Sequence, residues 1–142
     1  MRPSSQPKRP RLLEIRRGRI ISRRGNGRFR PNVSDNVVKI EGAHFQDEVV
    51  KSQTPVVVDF YADWCGPCKI IEPIMHQFSK EYDGRIKFVK VDTDANQELA
   101  MQFGIMSIPT VMFFSKGKVE DIVIGAVPAA VLKSKLETLA KA

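Results

Sequence analysis

Three observations predict that this 142-residue chain folds as a three-layer α/β domain. β-branched and aromatic runs alternate with stretches whose apolar residues recur every three or four positions. A hairpin signal and a final helical stretch follow them, which suits a sheet covered by helices on both faces. The chain's two cysteines stand with two residues between them, where an apolar strand hands over to a helix.

Taken in order, residues 37–40 read as a short strand and residues 45–51 as a helix. The run from Pro55 to Tyr61 is β-branched and aromatic apart from Pro55 and Asp59, and reads as a buried central strand. After Ala62 and Asp63 come Trp64, Cys65, Gly66, Pro67, Cys68 and Lys69. Next, Cys68, Ile71, Ile74, Met75 and Phe78 mark one face of a helix that packs on the sheet, with Pro73 expected to kink it by removing a backbone bond. Residues 86–91 alternate apolar and basic side chains and read as another strand. Residues 92–96 form a polar turn, and residues 98–103 a short helix closed by Gly104. Residues 110–115 and 119–124 are apolar strands around Lys116, Gly117 and Lys118. Pro128 can open a last helix with Val131, Leu132, Lys135, Leu136 and Leu139 along one face.

The cysteine pair is where chemistry is expected. Gly66 permits a tight turn, and Pro67 is tolerated because a first-turn N–H has no helical partner anyway. A thiol at a helix N-terminus faces unpaired N–H groups and the positive end of the macrodipole, which favour the thiolate. Cys65 is therefore the expected nucleophile, at the exposed tip of the turn, and Cys68, one turn inside the helix, the covered resolving thiol. A zinc site needs about four ligands. Only His44 and His76 join the two cysteines, neither at a paired spacing, so no metal is expected. A structural disulfide closing so small a loop would constrain little of the unfolded chain. Asp59 stands in a run that should be buried, where an ionised carboxylate is costly, so its pKa should rise. The methionines Met101, Met106 and Met112 are expected as core or rim filler, and His44 and His76 as ordinary surface or helix residues.

Residues 37–142 resemble the thioredoxin family. Six motifs in the family's order carry the resemblance: Val58-Asp59-Phe60, the Trp64–Lys69 motif, Pro73, Lys90-Val91-Asp92, Ser107-Ile108-Pro109-Thr110 and Gly125-Ala126. It implies a central five-stranded mixed sheet flanked by four helices, and disulfide reductase activity. Asp59 resembles the family's buried acid, which assists proton transfer to the departing cysteine, and Lys90 would pair with Asp59 and moderate its shift. A cis peptide is implied at Ile108–Pro109, facing the sulfurs. The backbone of Ile108 would bind an extended substrate segment, with Trp64, Gly66, Pro67, Pro109, Gly125 and Ala126 shaping an apolar rim around it. No bound cofactor is implied. Electrons would come from a thioredoxin reductase, with NADPH and FAD entering only through that partner. Gly66-Pro67 between the cysteines resembles the reducing members rather than oxidases or isomerases. A non-enzymatic adaptor is the alternative of another class; it would survive loss of both thiols. Tyr61 departs from the best-known bacterial members, which carry Trp there.

Charge divides the chain sharply. Residues 1–34 carry a net charge of +10 and residues 35–142 one of −3. The reading is a basic N-terminal extension, expected to be disordered, ahead of one thioredoxin-like domain over residues 35–142. The extension fits a mitochondrial transit peptide, an anchor for nucleic acid or anionic membranes, an unstructured appendage, or a start-site artefact. No secretory apolar core and no run long enough to span a bilayer is present. A reducing compartment, cytoplasmic or alternatively mitochondrial, and a monomeric state are expected.

Overall fold

The computed structural model describes residues 36–142. The reading of residues 1–34 lies outside these. Five strands form one mixed sheet in the order β1-β3-β2-β4-β5: β1 (Val37–Lys39), β2 (Val56–Tyr61), β3 (Lys87–Asp92), β4 (Thr110–Ser115) and β5 (Lys118–Ile124). Strands β1, β3 and β2 run parallel, and β4 and β5 join antiparallel. The helices α1 (Gly66–Glu81), α2 (Gln97–Gln102) and α3 (Ala129–Ala140) are joined by a helical segment before β2. That segment is the helix expected over residues 45–51, but it winds as a 3-10 turn, Gly42–His44, followed by a π-helical turn, Gln46–Val50. Its Lys51 N–H donates to the Gln46 carbonyl five residues back.

Alternation along β2 splits its side chains between two cores. Val57 faces α1 and α3, packing with Ile71, Met75, Leu132 and Leu136. Val56, Val58 and Phe60 face the other layer, with Phe45, Val49 and Leu99. By the same alternation Asp59 and Tyr61 lie on the α1 side. Parallel β3 and antiparallel β4 pair β2 on both edges, which explains why its run is apolar on both faces.

The hairpin is tighter than expected. Lys118 belongs to β5, leaving Lys116 (φ 53°) and Gly117 (φ 80°) as a two-residue loop with both φ angles positive. A Cβ on Gly117 would also lie 3.0 Å from the Val50 carbonyl oxygen. Strand β5 carries Val119, Ile122, Val123 and Ile124, yet of these Val123 alone is buried, because β5 is a sheet edge. In α3, Leu132, Leu136 and Leu139 are buried, whereas Val131 is exposed. The polar turn after β3 holds together differently from a simple helix cap. Asp92 Oδ1 accepts from the N–H groups of Asp94 and Ala95. Asn96, at the N-cap position, makes no cap bond; its Oδ1 accepts from Gly42 N–H at 2.7 Å and its Nδ2 donates to the Asp92 carbonyl at 3.0 Å. The turn is thereby tied to the segment before β2.

Candidate active site

The site forms beyond the carboxyl end of β2, the usual address for chemistry in open α/β sheets. Here the chain leaves β2, turns through Ala62, whose carbonyl accepts from Cys65 N–H at 3.2 Å, and enters α1. Cys65 is the N-cap of α1 in an extended conformation. Its Sγ accepts from the Cys68 N–H at 3.1 Å, so one of the helix's otherwise unpaired donors points at sulfur. Pro67 fills the first turn, where its missing N–H loses nothing. Cys65 and Cys68 are joined as a disulfide.

Cys65 is not exposed at the tip of the turn: it is 3% accessible and Cys68 is 5% accessible. Both pack with Ala62, Tyr61 and Ile108, which roof the disulfide. What separates the two cysteines is position, one at the N-cap with a donor on its sulfur and the other within the helix.

Across the disulfide lies the turn into β4. The Ile108–Pro109 peptide is cis, and the Ile108 carbonyl oxygen is 3.7 Å from Cys65 Sγ. In the disulfide form this is a contact, since the sulfur carries no proton. Thr110 Oγ1 donates to the Ser107 carbonyl at 2.6 Å and steadies the turn. Gly125 N–H donates to the Pro109 carbonyl at 2.8 Å, which brings the Gly125–Ala126 bend alongside; its φ of 92° suits glycine. Trp64 is 71% exposed, with its indole N–H donating to Asp94 Oδ2 at 2.7 Å. A Cβ on Gly66 would meet nothing within 4 Å, so space opens in front of this residue.

Beneath the site, Asp59 is 5% accessible and its Oδ1 has no hydrogen-bond partner among the described residues. Burial pushes its pKa up to about 7, with Lys90 opposing the rise and Glu72 adding to it. Asp59 and Lys90 are direct neighbours in the register of β2 and β3. The ion pair that Lys90 makes, however, is with Glu72 on α1, at 3.6 Å, and its ammonium lies 5.2 Å from the Tyr61 ring centroid. Tyr61 is half-buried, and burial raises its pKa, offset in part by Lys39.

The structure thus brings together Cys65, Cys68, Ile108, Pro109 and Gly125, with Asp59 and Lys90 below. Sequence reasoning passed over Asp94 and Glu72. Asp94 sits thirty residues from Trp64, and only the fold joins them. Glu72 could have been suspected, four residues after Cys68 at the edge of the apolar stripe. Among the methionines, Met112 is core, but Met101 and Met106 are 77% and 93% exposed, so packing does not account for those two. His44 is exposed; His76 is half-buried, its Nε2 has no partner among the described residues, and burial lowers its pKa. Among the described residues no three His, Cys, Asp or Glu side chains cluster as a metal site.

A thioredoxin family model matches residues 36–138. The chain is 47% identical over 107 residues to a thioredoxin of Synechocystis sp., covering 75% of this chain and 94% of that protein. It is 48% identical over 103 residues to a chloroplastic M-type thioredoxin of Pisum sativum, covering 72% and 60% respectively. A chloroplastic M-type thioredoxin of Brassica napus aligns over 134 residues at 38% identity, covering 94% of this chain and 72% of that one.

Proposed function

Because the chain belongs to the thioredoxin family and is a dithiol–disulfide protein reductase, we propose that Cys65 attacks the substrate and Cys68 resolves the mixed disulfide. The observation that supports this order is the Cys68 N–H aimed at Cys65 Sγ, which stabilises negative charge on that sulfur when the pair is reduced. The Cys65 thiolate displaces one sulfur of the substrate disulfide, which leaves as a thiolate and takes a proton from water. Cys68 then gives its proton to the Asp59 carboxylate and attacks Cys65, re-forming the Cys65–Cys68 disulfide and expelling the second substrate sulfur. Two electrons pass from the protein dithiol to the substrate. In re-reduction Asp59 returns the proton to Cys68 as it leaves.

The family works without a bound cofactor; the redox group is the cysteine pair itself. Substrates are disulfide-containing proteins, and the electron donor is a reductase partner. That partner is taken to be a thioredoxin reductase that uses flavin and NADPH. An extended substrate segment lies along the Ile108 backbone, between Trp64, Gly66 and Pro67 on one side and Pro109, Gly125 and Ala126 on the other. Main-chain pairing of this kind accepts many sequences. Residues 35–142 are the working domain, and residues 1–34 an appendage to it. The chloroplastic and cyanobacterial relatives favour a plastid or cytoplasmic reducing compartment over the mitochondrial alternative.

Reduction of insulin disulfides, driven by NADPH and a thioredoxin reductase, tests this reading. The parent protein turns over repeatedly, and variants Cys65→Ser and Cys68→Ser do not. Complementation of a cell lacking this protein by a variant carrying both Cys65→Ser and Cys68→Ser would instead support the adaptor alternative, and complete loss of function would remove it.

A further inference from the structure

We infer that Glu72 is a positioning residue of this active site: by holding the Lys90 ammonium toward α1, it leaves the Asp59 carboxyl without an ion-pair partner and so sets Asp59's protonation. The inference rests on the proton-transfer role proposed for Asp59 above.

Register places Lys39, Lys90 and Asp59 in one row across β1, β3 and β2, with apolar Val111 of β4 next in line. By the alternation of β2 and β3 this row faces α1. From α1, Glu72 reaches Lys90 at 3.6 Å, and no pair within 4.0 Å joins Lys90 to Asp59 among the described residues. The unpartnered Oδ1 of Asp59 is what that arrangement leaves behind. Glu72 is 47% accessible and Lys90 23% accessible, so the pair spans from solvent to the edge of the buried carboxyl. The other groups around it are His76, which feels both Glu72 and Lys90, and the Tyr61 ring, which carries Lys39 and Asp92 as its own neighbours.

Two effects of Glu72 act in the same direction. Its charge repels the Asp59 carboxylate, and its hold on Lys90 keeps a cation from turning inward; both favour the protonated acid. Removing the Glu72 charge therefore lowers the Asp59 titration midpoint. A fall of about half a unit corresponds to a change of about threefold in the acid-to-carboxylate ratio.

The experiment follows the Asp59 carboxyl carbon by NMR titration of the oxidised full chain, in the parent and in Glu72→Gln, Glu72→Ala and Glu81→Gln. Glu81, on the same helix as Glu72, pairs with Lys133 of α3 and serves as the control for losing an α1 carboxylate. The expected result is a midpoint lowered by about half a unit or more in both Glu72 variants and unmoved in Glu81→Gln. An unchanged midpoint in the Glu72 variants, with native-like spectra, overturns the inference. The pH profile of insulin reduction is measured alongside. If the titration moves and the profile does not follow, Glu72's action on Asp59 stands and the proton-transfer role of Asp59 falls.

Discussion

At Asp59 a carboxyl group sits inside a sheet without a partner for one oxygen, and that placement carries two consequences. Its pKa is about 7 in the folded protein against an ordinary value of 3.8. Between those limits the native state holds more protons than the unfolded chain, so this group makes stability fall as pH rises. The cost is fully expressed above about pH 7 and is absent below the unfolded value; a shift of this size corresponds to roughly 4 kcal/mol. Asp59→Asn should therefore stabilise the oxidised protein by a few kcal/mol at pH 8 and by little at pH 3.5. Denaturant unfolding at the two pH values measures it, and equal gains at both would mean the burial penalty is not the cause. In the reductase reaction the same substitution should slow turnover and remove a titration near pH 7 from the rate profile. The raised pKa of Asp59 could be foreseen from its place in an apolar run. The orientation of Lys90 could not, because it depends on which residue of α1 lies above β3.

The elements succeed or fail at their junctions. The start of α1 was legible because Gly66 and Pro67 have few other uses between a strand and a helix. The hairpin was legible in outline through Gly117, but its two-residue length depends on Lys116 also taking a positive φ, for which lysine gives no signal. Gly117→Ala should cost about 1–3 kcal/mol in equilibrium unfolding, since the new Cβ meets the Val50 carbonyl while the backbone stays left-handed. Asn96 ends the polar turn read over residues 92–96; its Oδ1 accepts from the N–H of Gly42, fifty-four residues away, and only the fold creates that pairing. Asn96→Ala should lower stability by about 1–2 kcal/mol by leaving the Gly42 N–H without its acceptor. Trp64, the chain's one tryptophan, is held by Asp94 at the site's rim. Asp94→Ala should change the emission of that indole and raise the KM for protein substrates, with kcat little altered. An unaltered KM would mean the tether does not matter for docking.

Over the whole molecule, function reduces to a disulfide seated between a helix N-terminus and the turn that leads into the neighbouring strand β4. The order β1-β3-β2-β4-β5 is what brings those two segments together: β2 delivers the cysteines, and its antiparallel neighbour β4 begins just after Ile108 and Pro109. Alternation of strands and helices predicted the three layers. Burial of Cys65 was missed because helix-terminal exposure was inferred from α1 alone, while Ile108 roofs it from elsewhere. The basic residues 1–34 should not contribute to the chemistry: a chain starting at residue 35 should reduce insulin at the rate of the full chain. The division of labour between the two cysteines is read out by incubating Cys68→Ser and Cys65→Ser separately with a disulfide-containing protein and weighing the products by intact mass after acid quenching. With Cys65 as nucleophile, Cys68→Ser accumulates a mixed disulfide through Cys65 and Cys65→Ser forms none. Accumulation through Cys68, with Cys65 left free, would contradict that order.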